Sequence, residues 1–177
     1  MNKLTRFRAR LILMSIFVVF IIVSGNSQPI VKVHGNTDKT ATKRLILECL
    51  NQLEVYEDFH LIVRYSENMS RTQPGQTFFQ DANPRPIIWV WIKANLNRKL
   101  QRNVLVHEMI HVKQFAKGEL IINNDQHVYW NGQKQQYTGN IHSADSQWEF
   151  EAHRDDGKLA KLLLESIHEP WLAKRSQ

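Results

Sequence analysis

Between Leu96 and Phe115 the apolar positions recur at helical spacing, with Leu100, Val104, His107, His111 and Gln114 or Phe115 on one face. Neither Gly nor Pro interrupts the chain from Ile87 to Lys117, and Gly118 then supplies a stop. A helix of about twenty residues is therefore predicted to end there. Upstream, Thr40 or Thr42 caps a predicted helix running to about Phe59, with Leu45, Cys49, Gln52 or Leu53 and Tyr56 turned inward. His60 to Tyr65 alternates and is rich in β-branched residues, which predicts a strand.

Glu67 to Pro86 holds Pro74, Gly75, Pro84 and Pro86 among polar residues and is predicted to be one long loop. Ile87 to Ile92 is the strongest strand signal in the chain. Asn131-Gly132, between His127–Trp130 and Gln133–Tyr137, predicts a tight hairpin. A last helix is predicted from about Ser146 to Ile167, before Pro170. Helices and strands mix without a repeating strand-helix alternation. The expected fold is α+β, a small mixed sheet packed on two or three helices, rather than a doubly wound parallel sheet.

The first ten residues carry Lys3, Arg6, Arg8 and Arg10 and no acid, and in Leu11 to Val23 only Ser15 is polar. That order is the pattern of a signal peptide. Thirteen residues span about 20 Å as a helix, short of a bilayer core of roughly 30 Å, which favours a cleaved signal over a stable span. Residues 1–25 are thus expected to be a signal peptide, or else an N-terminal membrane anchor built on residues 11–23. Residues 26–39 read as a linker, with a short leading strand as the alternative, and residues 40–177 as one domain. The expected location is outside the cytoplasm, secreted or periplasmic, with membrane contact only through the N-terminal segment if it stays uncleaved.

This segment also accounts for the charge. The chain has 23 basic and 17 acidic residues, a balance of +6; without the four bases before position 11 it is 19 against 17, or +2. A nearly neutral domain gives no reason to expect a nucleic-acid partner. Cys49 is the single cysteine, so no internal disulfide can form, and its apolar neighbours mark it as a buried small residue.

Candidate chemistry sits on the first helix described. His107-Glu108-Met109-Ile110-His111 places two imidazoles one turn apart on one face, where both can reach one metal ion. Glu108, rotated beside them, is placed to accept a proton from water polarised by that ion. The plainer alternative is two ordinary histidines on a half-buried helix. A hydrolytic zinc site needs a third protein ligand and one position open for water. Trp148-Glu149-Phe150-Glu151-Ala152-His153 on the last helix offers candidates. Helical phase puts Glu149 within the apolar arc of Ala152, Leu159, Ala160, Leu163, Leu164 and Ile167, and puts Glu151 on the polar side near Lys158 and Glu165. The order of preference is Glu149, then His153, then Glu151. His153, one turn from Glu149, is also placed to hydrogen-bond a metal ligand from behind.

A His-Glu-x-x-His helix followed by a Glu-x-x-Ala string on a second helix resembles the gluzincin zinc metallopeptidases, particularly small single-domain gluzincin-like proteins. The resemblance implies a zincin-like fold with the motif on its central helix and a Zn2+ cofactor held by His107, His111 and Glu149. It further implies Glu108 as the base and Ala152 as the small residue that lets the two helices approach. It gives Ile87 to Ile92 the part of the cleft-edge strand that pairs with extended substrate. His153 stands where the family pattern usually has Asp. The oxyanion-stabilising group is left open, with Tyr137, His127 and His142 as candidates by chemistry only.

The function expected on these grounds is zinc-dependent peptide-bond hydrolysis acting on a peptide or protein. The alternative is an exported module that binds zinc without catalysis.

Overall fold

The computed structural model describes residues 28–35, 38–70, 72–123, 127–136 and 145–166. The expected signal or anchor segment lies outside them, as do Tyr137 and His142. Among the described residues, seven strands and three helices follow in chain order. They are β1 (Ile30–His34), α1 (Lys39–Gln52), β2 (His60–Ser66), β3 (Gly75–Gln80), β4 (Ile87–Lys93), α2 (Arg98–Ala116), β5 (Leu120–Ile122), β6 (Val128–Trp130), β7 (Gln133–Gln135) and α3 (Gln147–Ser166). The architecture is mixed α+β with two small sheets.

The larger sheet has the order β1-β2-β4-β3. β1, β2 and β4 run parallel, and β3 is antiparallel to β4. Leu61, Val63, Ile88, Val90 and Ile92 face the helices and are fully buried. α2 packs on β3 and β4 and against α3, and α3 in turn packs on α1 and α2. Nine of the eleven residues from Leu105 to Phe115 are buried, as expected of a helix with neighbours on two sides. Its polar members Glu108, His111 and Gln114 are therefore carried into the interior with the apolar ones.

Local chemistry explains the boundaries. Asn97 caps α2 by accepting from Leu100 N at 2.9 Å, and Gly118 adopts φ +67 just past its end. Asp38, rather than Thr40 or Thr42, caps α1 by accepting from Ala41 N at 3.0 Å. α1 stops at Gln52, short of the expected Phe59. Val55 N turns back to Leu50 O at 2.9 Å and Glu54 takes a left-handed φ of 54. The irregular stretch that follows buries Val55 and Phe59 and leaves Tyr56 outside, so the apolar spacing there serves the core without a helix. Asn131 and Gly132 both have positive φ, as the predicted hairpin turn requires.

Two corrections bear on the site. The segment expected to be one long loop, Glu67 to Pro86, contains β3. Consequently Ile87 to Ile92 is not an edge: β4 lies between β2 and β3, and β3 is the edge strand on the side of α2. Gln76, Thr77, Phe78 and Phe79 carried a strand signal that the surrounding Pro and Gly residues outweighed.

Candidate metal centre

α2 supplies His107 and His111, one turn apart, and α3 brings Glu149 against them. Oε2 of Glu149 lies 3.4 Å from Nε2 of His107 and 3.4 Å from Nε2 of His111. Donors bonded at about 2.0–2.1 Å around a tetrahedral ion stand about 3.3–3.4 Å apart, so both separations fit one small cation. Ala152, three residues after Glu149 on α3, is fully buried.

Gln114 fixes the state of His111. Its Nε2 donates to Trp148 O at 3.0 Å and to Glu151 Oε2 at 2.9 Å, which leaves its Oε1 to accept from Nδ1 of His111 at 2.8 Å. A neutral His111 then turns its Nε2 lone pair toward the Glu149 carboxylate. Only a shared cation, whether a proton or a metal ion, removes that repulsion. Behind His107, Oδ2 of Asp156 stands 3.4 Å from Nδ1. Each imidazole thus has a partner on its far nitrogen and the same carboxylate oxygen before its near one.

Burial by itself lowers the pKa of both histidines. Their contacts with Glu149 and the nearby Glu108 outweigh it, so without metal both are held above the ordinary imidazole range.

Glu108 is buried on the β3 side of α2. Its Oε2 accepts from Thr77 Oγ1 at 2.6 Å, and Gly75 leaves the space its Oε1 occupies, where an added Cβ would collide. Burial raises its pKa above the ordinary carboxylate range, with His111, the Thr77 bond and His107 acting the other way. A carboxylate so placed is a stronger proton acceptor than an exposed one.

The remaining residues named from the sequence divide. His107, Glu149 and His153 offer ligand atoms all within 4.8 Å of one another and could hold a metal by proximity. The side chain of His153 is 61% exposed against 5% for His111, however, and its ring packs on His107 with centroids 4.6 Å apart. His111 is not part of that group, but its Nε2, like that of His107, stands 3.4 Å from Glu149 Oε2. The carboxylate behind His107 is Asp156, seven residues past Glu149 on the same helix face, and His153 stacks where a hydrogen bond from behind was expected.

Glu151, expected on the solvated side, is half-buried. It bridges Lys113 Nζ at 3.0 Å and Gln114, because α2 covers part of the polar arc of α3. Gln114 and Asp156, which stand against the far nitrogens of His111 and His107, are positions that ligand arithmetic overlooks. The signal for Gln114 is its spacing, three residues after His111 and seven after His107. His127 immediately precedes β6.

In comparisons with known proteins, no family model matches the chain, and neither a curated protein nor a solved structure matches it.

Proposed function

We propose that this chain is an exported, zinc-dependent peptide hydrolase with a zincin-like domain, in which His107, His111 and Glu149 hold the ion and Glu108 is the base. The observation that carries this reading is the convergence of two imidazole nitrogens on one carboxylate oxygen at 3.4 Å each, one residue away from a buried, raised-pKa glutamate. Two neutral nitrogens and one carboxylate are the donor set zinc favours, and three protein ligands leave a position for water.

When bound, zinc supplies a Lewis acid that lowers the pKa of water and polarises a carbonyl. The chain's own residues do the rest. Gln114 and Asp156 orient the imidazoles from behind. Thr77 Oγ1 and the gap at Gly75 hold the Glu108 carboxylate in one place. Glu108 takes a proton from the attacking water and delivers it to the leaving amine, its raised pKa suiting both halves of the transfer. β3, unpaired on its outer side among the described residues, offers that edge to an extended substrate, the part first expected of β4.

Export is supported by the basic and then apolar N-terminus. Among the described residues no helix is long and apolar enough to cross a membrane.

The test is Glu108→Gln, which keeps shape and removes the base. Wild type loaded with zinc is expected to cleave peptides from a mixed library, and the variant to hold zinc and cleave none. A variant as active as wild type overturns the mechanism. Zinc binding by a wild type that cleaves nothing supports the binding-module alternative.

A further inference from the structure

The hydrogen-bond phase of β3 tells which of its residues a neighbouring chain would meet. Lys93 N donates to Pro74 O at 2.8 Å, and the β3–β4 register runs unbroken from Gly75 opposite Ile92 to Gln80 opposite Ile87. Bonded and non-bonded pairs alternate in an antiparallel ladder. Gln76, Phe78 and Gln80 therefore turn their backbone groups toward β4, while Gly75, Thr77 and Phe79 turn theirs to the outer edge, which no strand among the described residues pairs.

The same three residues face α2. Gly75 and Thr77 meet Glu108, and Phe79 stacks on Phe115 with ring centroids 5.9 Å apart and planes at 18°. Phe115 lies one helical turn beyond His111, and Phe79 lies two residues, about 7 Å, beyond Thr77. Phe115 is buried, yet Phe79 above it remains 43% exposed. A large aromatic ring thus stands at the rim, in line with the base and the metal centre.

We infer that the Phe79–Phe115 pair is the side-chain-selecting platform of this cleft, and that its occupant is an extended peptide carrying an aromatic or large aliphatic residue opposite Phe79. The inference rests on the cleft proposed above. A chain bonded to the edge at Thr77 and Phe79 has its opposed side chains on the same face as theirs, toward α2. The residue opposite Phe79 then lies on the aromatic platform, while two residues along, opposite Thr77, the backbone passes Glu108. The selected residue is consequently two positions from the one beside the base.

Binding tests this without requiring turnover. Full-length Glu108→Gln, zinc-loaded, is titrated with fluorescent extended peptides that differ at one position, Phe, Leu, Ala or Asp. The Phe peptide is expected to bind roughly five- to tenfold more tightly than the Ala peptide, a typical aromatic-pair effect. In Glu108→Gln/Phe79→Ala the preference should shrink to within about twofold, with zinc content unchanged. Equal affinity for the Phe and Ala peptides, no peptide binding at all, or a preference that survives Phe79→Ala overturns the platform. Cleavage by the Glu108 protein is scored separately. Lost cleavage with preference intact overturns only the hydrolase reading, and lost preference with cleavage intact overturns only the platform.

Discussion

Gln114 locks His111: its Oε1 accepts from the imidazole Nδ1 at 2.8 Å while its amide is spent on Trp148 O and Glu151. One fully buried side chain therefore sets a tautomer and ties α2 to α3. Gln114→Leu removes both functions at similar size. Zinc affinity is expected to fall about 10- to 100-fold, the usual loss for a partner behind a metal ligand, as measured by competition with a chromophoric chelator. Unchanged affinity would show that His111 does not depend on this bond.

Gly75 is where β3 comes closest to Glu108. An Ala side chain there would meet Glu108 Oε1 and stand 2.6 Å from Val104 Cγ1, so the base must move. Gly75→Ala should retain one zinc per chain yet lose about 100-fold in kcat/KM, since misplacing a catalytic group by about 1 Å has that scale of effect. Gly157, on the exposed side of α3, has nothing near its Cβ position and serves as the control. Gly157→Ala should leave zinc and activity alone and raise stability by about 0.5–1 kcal/mol through helix propensity. Urea denaturation and steady-state kinetics read both variants.

Thr77 donates to Glu108, and that bond opposes the effect of burial on its pKa. Thr77→Val deletes the donor at nearly constant volume. The acid limb of the kcat/KM profile should move to higher pH, with zinc content unchanged. A limb that stays in place would separate Glu108 from the observed ionisation.

Without metal, the native protein binds protons more tightly at His107, His111 and Glu108 than the unfolded chain does, because all three pKa values are raised. Stability then falls as pH rises. The histidine contribution is fully present below the unfolded value of 6.5 and is lost as pH climbs through the higher native values. Glu108 has the same sign from 4.5 upward. Chelator-treated protein should have a higher urea midpoint at pH 6 than at pH 8. Zinc competes with the same protons, so zinc affinity should rise over that interval. A metal-free protein that gains stability toward pH 8 would contradict the arrangement.

Periodicity made the α2 and α3 positions legible, because both helices bury long, regular apolar arcs around His107, His111 and Glu149. It misplaced Glu151, since helical phase reports the angle on one helix and not how far a neighbour reaches around it; Lys113 and Gln114 of α2 cover that side. β3 was hidden for a different reason. A short edge strand flanked by Pro74, Pro84 and Pro86 has the composition of a loop, and only its pairing with β4 gives it away. Asp156 and Gln114 bind no metal in the proposed set, so ligand spacing carried no signal for them.

Glu149, and not its neighbour Glu151, is expected to complete a site with His107 and His111. Metal content of purified wild type, Glu149→Ala and Glu151→Ala, taken by mass spectrometry after equilibration with zinc, tests it most directly. One zinc per chain is expected in wild type, none in Glu149→Ala, and zinc retained with reduced stability in Glu151→Ala. A full complement of zinc in Glu149→Ala, or an empty wild type, would contradict it.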